Sequence, residues 1–256
     1  MNYIVFTDLD GTLLDHYTYS YEGAKTCLEY IKSHNIPLVF VTSKTRVEVE
    51  KLIKEISYDI SFSVENGAAV FFYNNYKKCN KVFGRPIDEI INFYNSIKER
   101  FGLVNIYEID EKELSKIVNL PLDKIKYLKM REYSLPFLIK EGKLFDHLKE
   151  TVQNAGFKLL KGGRFYHFVG KDQDKGVAVR HIRSILGRNR KAIGLGDSEN
   201  DYDLLKNVDI PIIIRKYNNT YDEKLSTISN AVKTEQIGPL GWCEAFEKIL
   251  AGGEDG

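Results

Sequence analysis

The sequence predicts an α/β protein, a parallel sheet covered by helices, with one module of mixed α+β character inserted into it. Three observations lead there. Short apolar runs alternate with amphipathic stretches in strand–helix–strand order near both ends of the chain. Between about residues 85 and 170 this order gives way to longer helices and a pair of extended runs around two glycines. The 256 residues are 43% hydrophobic, enough for the cores of one or two domains, yet no run approaches the roughly 18 apolar residues of a membrane span. The predicted division is a split core, 1–84 plus 171–256, around an insertion at 85–170.

The elements follow in order. Tyr3-Ile4-Val5-Phe6 is a buried-strand candidate that ends at Thr7-Asp8. Ala24, Cys27, Leu28 and Ile31 recur at helical spacing between Glu22 and His34. Pro37–Val41 is a second strand, Val47–Ile56 a second helix, and Ser61–Val64 a third strand. Asn66-Gly67 and Asn74-Asn75 mark hairpin-like turns. In the insertion, Ile90, Ile91, Tyr94, Ile97 and Phe101 put one apolar face on a helix over Ile87–Phe101. Helices at Glu111–Val118 and Leu144–Ala155, an extended stretch over Met130–Ile139 and a hairpin of Phe157–Leu160 with Arg164–Val169 complete the module. The α/β order then resumes with a helix at Lys175–Leu186, a strand at Ala192–Leu195, a helix at Asp201–Lys206, a strand at Ile210–Ile214 and a helix at Glu244–Leu250. Gly252–Gly256 is expected to fray.

Charge and cysteines set the outer bounds. Lys and Arg total 37 against 36 Asp and Glu, so no general field attracts nucleic acid or an anionic membrane. An acidic ligand must be held by a local site. Cys27, Cys79 and Cys243 have no metal-type spacing and read as reduced thiols. The first residues carry no secretory pattern, and a cytoplasmic setting is expected.

Chemistry concentrates at strand ends. Asp8-Leu9-Asp10-Gly11-Thr12 places two carboxylates just after the first strand, where open α/β sheets bind ligands. Two close acids repel unless a proton or cation joins them. Gly196-Asp197-Ser198-Glu199-Asn200-Asp201 repeats the pattern after a later strand, and together the two clusters supply oxygen ligands for a hard cation such as Mg2+. Thr42 follows the second strand directly, with Ser43 as an alternative hydroxyl, and Lys175 opens the helix ahead of the second cluster.

Asp8-x-Asp10-Gly-Thr12, Thr42, Lys175 and Gly-Asp197-Ser-x-Asn200-Asp201, in this order, resemble the four motifs of the haloacid dehalogenase-like (HAD) phosphatases. The resemblance implies a HAD-like Rossmannoid core with an inserted α+β cap of the C2B type that closes over the site and selects the substrate. It further implies Asp8 as nucleophile, Asp10 as general acid and base, and Mg2+ held by the Asp8 carboxylate, the Asp10 carbonyl and Asp197. Asp201 would ligate or orient from behind, and Thr42 and Lys175 would hold the phosphoryl oxygens.

Further stretches are similar to the mannosyl-3-phosphoglycerate phosphatases within that family. They are Thr42–Arg46, Glu65–Ala69, Arg131–Phe137, Gly162–His167 and Gly238–Trp242. This likeness implies hydrolysis of 2-O-(α-mannosyl)-3-phosphoglycerate to mannosylglycerate, a compatible solute. The partner is then a small phosphorylated sugar-glycerate, with no nucleic acid, membrane or obligate protein partner. Ser43, Lys44, Arg131, Gly163, Arg164, His167 and Asn200 are the candidate substrate contacts: arginine forks suit carboxylate or phosphate, and a glycine pair lets backbone approach a ligand. His167 can also simply be packed in its strand. The chain reads Tyr133-Ser134-Leu135-Pro136-Phe137 where the family has an acid before Pro-Phe, so a glucosyl substrate is an alternative. Other sugar phosphates, or phosphotransfer to a sugar hydroxyl, are further alternatives.

Overall fold

The structure, a computed structural model, describes residues 2–74, 77–140 and 145–251. Strand β1 (Tyr3–Thr7) lies inside an eight-stranded sheet, and Ile4, Val5 and Phe6 are fully buried. Burying each such side chain stabilises the fold by about 1.5–3 kcal/mol. After α1 (Lys25–Ser33) the chain returns as β2 (Leu38–Val41), and after α2 (Arg46–Ile56) as β3 (Ser61–Val64). Thr45 caps α2 in a reciprocal capping box with Glu48, which fixes where the helix starts. β4 (Ala69–Asn74) and β5 (Lys77–Val82) extend the same sheet antiparallel. Glu65, Asn66 and Gly67 all take positive φ in the β3–β4 turn, the hairpin that Asn66-Gly67 predicts. Asn75 of the other predicted turn, Leu144 and the expected fraying at Gly252–Gly256 lie outside the described residues.

The intervening chain builds a second sheet. Its elements are α3 (Ile87–Phe101), β6 (Leu103–Asn105), α4 (Glu111–Val118), α5 (Leu122–Leu128), β7 (Leu135–Ile139), α6 (Phe145–Asn154), β8 (Phe157–Lys161) and β9 (Tyr166–Gly170). The strands run antiparallel in the order β6-β7-β9-β8. Ile90, Tyr94 and Phe101 of α3 and Leu148 and Val152 of α6 bury against Phe137, Phe157 and Phe168 of that sheet. A smaller apolar cluster joins α4 and α5 to Ile106 and Phe165.

The chain then re-enters the large sheet through α7 (Lys175–Leu186), β10 (Lys191–Gly196), α8 (Tyr202–Leu205), β11 (Ile210–Arg215), β12 (Val232–Ile237) and α9 (Gly238–Ala251). The order is β12-β11-β10-β1-β2-β3-β4-β5, parallel from β12 through β3. The expected α/β class with a mostly parallel sheet is therefore the observed one. Because β1, β2 and β10 run parallel, Asp8, Thr42 and Asp197 all emerge at one edge of the sheet.

The structure departs from expectation in several places. β6, α5 and β12 are additional elements, and α9 begins six residues ahead of Glu244. The helix expected from Glu22 begins as a 3-10 turn and becomes α-helical at Lys25, and the Met130–Ile139 stretch is a strand only from Leu135. The cysteine reading is corrected. Cys27 of α1 and Cys243 of α9 form a disulfide with Cα atoms 5.6 Å apart. A sequence separation of 216 hides the fact that these helices pack side by side.

Candidate active site

Asp8 leaves the end of β1 with its N–H donated to the Leu195 carbonyl of β10 (2.9 Å), so the two strand ends are stitched beneath it. Gly11 then turns with φ +82°, and a Cβ there would stand 2.9 Å from Asp197 Oδ2. That close approach requires glycine and brings Asp197 against the first motif. Thr7 Oγ1 accepts from the fully buried Trp242 Nε1 at 3.0 Å, which docks the start of α9 under the site. Gly241 serves the same docking, since a Cβ there would meet the Gln236 carbonyl at 2.3 Å.

Lys175, the first residue of α7, is buried with its ammonium 2.6 Å from Asp8 Oδ1 and 2.6 Å from Asp201 Oδ1. Burial opposes its charge, but Asp201 and Asp8 outweigh that and hold its pKa above the ordinary lysine range. Asp201 Oδ2 accepts from the Asp197 and Ser198 N–H groups at 3.1 and 3.0 Å, so Asp201 braces the second cluster from behind. Burial, then Asp201, raises the Asp8 carboxyl well above its ordinary value; the same two causes push Asp197 up to about 7.

Asp8, Asp197 and Asp201 each bring a carboxylate oxygen within 4.8 Å of the others. Crowded, buried, all-oxygen donors short of positive charge are what a hard divalent cation fits.

Above these acids a cavity of about 110 Å3 separates the large sheet from the inserted module. Asp10 faces it and pairs with Lys44 (Nζ to Oδ1, 2.8 Å); Asp10 and Glu48 hold the buried Lys44 protonated against the cost of burial. From the module, Arg131, Gly163, Arg164 and His167 line the roof. Arg131 donates to the Ser43 carbonyl (Nη1, 2.7 Å) and the Leu128 carbonyl (Nε, 3.1 Å). Arg164 Nη1 donates to the Tyr19 hydroxyl at 2.9 Å, and that hydroxyl donates to the Val118 carbonyl at 2.6 Å. His167 is buried, its pKa lowered to about 3 by burial, then by Arg131 and Lys175. Its Nδ1 has no hydrogen-bond partner among the described residues. Gly162 is required beside it, since a Cβ there would lie 2.9 Å from His167 Nε2.

Asp8, Asp10, Ser43, Lys44, Arg131, Gly163, Arg164, His167, Asp197 and Asn200 thus share one cavity wall. Lys175 and Asp201 lie directly behind Asp8. Thr42 is different: it is fully buried, its Oγ1 accepts from the Lys44 N–H at 3.1 Å, and the neighbouring Ser43 meets the cavity. Asn200 Nδ2 donates to Asn66 Oδ1 at 3.0 Å. Sequence reasoning missed His16 and Tyr19, which line the cavity from the loop after β1. The polar and aromatic run Asp15–Ser20, directly following the first motif, is the signal that would have found them. It also missed the apolar lining of Ile106, Val118, Leu120, Leu128 and Phe165.

Parallel strands ending in paired acids, a lysine wedged between them and an α+β module overhead define a class of hydrolase. The sequence profile of the haloacid dehalogenase-like hydrolases matches residues 5–235, and the chain belongs to that family. Two relatives cover nearly all of it, both described as glucosyl-3-phosphoglycerate/mannosyl-3-phosphoglycerate phosphatases. The protein from Persephonella marina is 40% identical, over 96% of this chain and 97% of its own. That from Methanococcoides burtonii is 36% identical over 98% of each. Among solved structures, a Thermoplasma acidophilum protein superposes with a TM-score of 0.74 at 17% identity over 97% of this chain and 98% of its own, which shows the shared fold. HAD hydrolases generally use a divalent metal, in keeping with the acidic triad here. Among the described residues, no helix is long and apolar enough to cross a membrane.

Proposed function

We propose that this chain is a divalent-cation-dependent phosphatase that cleaves 2-O-(α-mannosyl)-3-phosphoglycerate and its glucosyl counterpart to hexosylglycerate and phosphate, a step toward a compatible solute. The observation that carries the reading is the convergence of Asp8, Asp10, Lys175 and Asp197 at one sheet edge beneath a roof bearing Arg131 and Arg164. The relatives' activity, at up to 40% identity over nearly the whole chain, supports the substrate.

Asp8 attacks phosphorus, and the bond to the glycerate oxygen breaks as Asp10 delivers its proton to that oxygen. Asp10 then takes a proton from water, which attacks the aspartyl-phosphate, releases phosphate and restores the Asp8 carboxylate. Lys175 binds one oxygen of Asp8 and so leaves the other to attack. Asp8, the Asp10 carbonyl and Asp197 would hold Mg2+, with Asp201 orienting Asp197. When bound, the cation supplies positive charge against the phosphoryl oxygens.

Lys44, with the hydroxyl of Ser43 or Thr42, holds the phosphoryl and glycerate oxygens. Arg131, Arg164 and backbone at Gly163 suit the carboxylate. His167 and Asn200 also border the cavity that would receive the substrate. Both relatives are named for the glucosyl and the mannosyl substrate, which supports acceptance of both hexoses. Asp8→Asn removes the nucleophile at constant shape and should lower phosphate release at least a thousandfold while the thermal melt stays cooperative. Turnover near wild type would sink the nucleophile assignment.

A further inference from the structure

The two stretches Glu65–Ala69 and Arg131–Phe137 have no part in the bond-breaking steps, yet they meet in space at one carboxylate. Glu65 is fully buried in the β3–β4 turn. Among the described residues, its side chain makes no hydrogen bond within the large sheet. Instead it accepts from the N–H of Glu132 (2.9 Å), the N–H of Tyr133 (3.1 Å) and the hydroxyl of Ser134 (2.6 Å), all in the inserted module. Its backbone faces the other way. The Glu65 N–H donates to the Lys44 carbonyl at 3.0 Å, and the Asn66 N–H donates to the Thr42 carbonyl at 2.9 Å. The loop carrying Thr42, Ser43 and Lys44 is therefore shaped by the same turn.

Both chain crossings between module and core reach this point as well. Gln173, on the return crossing, donates its Nε2 to the Glu65 carbonyl at 2.6 Å and accepts the Gly170 N–H at 3.1 Å. On the outward crossing, the Ile87 N–H donates to the Glu132 carbonyl at 2.8 Å. Arg131 is next to the strap that Glu65 holds. Its Nη1 bridges the Ser43 carbonyl at 2.7 Å and the Ser134 hydroxyl at 3.3 Å, the same hydroxyl that Glu65 accepts.

We propose that Glu65 is a positioning residue: its carboxylate latches the Glu132–Ser134 strap to the core and so sets Arg131 over the Ser43–Lys44 loop, coupling the seating of the module to substrate recognition. The proposal rests on the phosphatase reading of the cavity. A carboxylate is required because three donors converge on it. Glutamine would present its own N–H2 to one of them and leave a buried donor unpaired. A positional role also accounts for the left-handed φ of +49° at Glu65, which turns the side chain out of the sheet while its N–H stays on the loop.

Steady-state kinetics on the full chain test the coupling, with whichever hexosyl-3-phosphoglycerate the wild type cleaves. Glu65→Gln should raise KM at least tenfold while kcat stays within threefold. In an Arg131→Ala background the same change should move KM less than twofold, because the residue through which Glu65 acts is already gone. Additive effects of the two substitutions, or a loss confined to kcat, would overturn the proposal. Should Glu65→Gln fail to fold, Ser134→Ala removes one latch bond and should raise KM two- to fivefold; an unchanged KM in that variant would count against the latch. Amide hydrogen exchange reads the latch without any substrate. In Glu65→Gln, the Glu132 and Tyr133 amides and the 42–45 loop should exchange at least tenfold faster while α7 is unaffected, and uniform protection as in wild type would refute it. A wild-type enzyme that cleaves neither hexosyl substrate would instead refute the phosphatase reading, with the exchange result still deciding the latch.

Discussion

Replacing Lys175 by Met tests the electrostatics of the site most severely. Methionine keeps the length and apolar bulk of the side chain but removes an ammonium lying 2.6 Å from both Asp8 and Asp201. All three side chains are essentially buried, so solvent cannot make up the lost charge. Removing one partner of a buried ion pair costs about 3–5 kcal/mol, because the remaining charge is stranded. At about 2–4 °C per kcal/mol for a chain of this size, the melting temperature in EDTA at pH 7.5 should fall by roughly 6–20 °C. A divalent cation bound at the acidic triad replaces part of the missing charge and stabilises by mass action, so millimolar Mg2+ should return part of the loss. Phosphate release should fall at least a hundredfold in either buffer. Calorimetry with and without Mg2+, beside a phosphate-release assay, gives all three readings. A shift below about 2 °C in EDTA would mean that the ion pairs contribute nothing net, and the reasoning would fail.

Other consequences are open to measurement. His167 is protonated near pH 3 in the folded protein and near pH 6.5 in the unfolded chain, so stability is fully present above about pH 6.5 and is lost as pH falls through that window. Between pH 7 and 5.5 the wild type should lose about 1 kcal/mol more in urea unfolding than His167→Asn, and equal losses would contradict a buried neutral imidazole. Tyr19→Phe removes the hydroxyl that joins Arg164 to the Val118 carbonyl, interactions of about 1 kcal/mol each. KM should rise severalfold and the melting temperature should fall by about 4–8 °C, and an unaltered KM would remove Tyr19 from recognition. Thiol titration of the unreduced, denatured chain should find one reactive cysteine, rising to three after reduction. Three before reduction would disprove the Cys27–Cys243 pairing.

How much the sequence disclosed depended on whether the signal was local. Asp8, Asp10, Asp197 and Lys175 were legible because each lies at a strand end or helix start, where apolar periodicity stops abruptly. Gly11 belongs with them, as its turn brings Asp197 within reach. β12 was not legible. Thr234 is its one fully buried residue, and the strand is held by β11 and α9 without an apolar face of its own. The helix was expected only from Glu244, although a proline such as Pro239 suits the first turn of a helix and α9 begins at Gly238. β6 and α5, at three and seven residues, are too short for periodicity to register, and tertiary packing decides them. The disulfide, the Arg164–Tyr19 contact and the Glu65 latch join residues that are 216, 145 and about 68 positions apart, distances over which spacing carries no information.

Phosphate release from a small panel tests the central claim most directly. Mannosyl- and glucosyl-3-phosphoglycerate would be compared with 3-phosphoglycerate, mannose 6-phosphate and sucrose 6-phosphate, each with Mg2+ and again with excess EDTA. The account predicts rapid release from both hexosyl-3-phosphoglycerates, at least a hundredfold slower release from the other three, and loss of turnover in EDTA. Faster cleavage of a simple sugar phosphate, or turnover indifferent to EDTA, would contradict it.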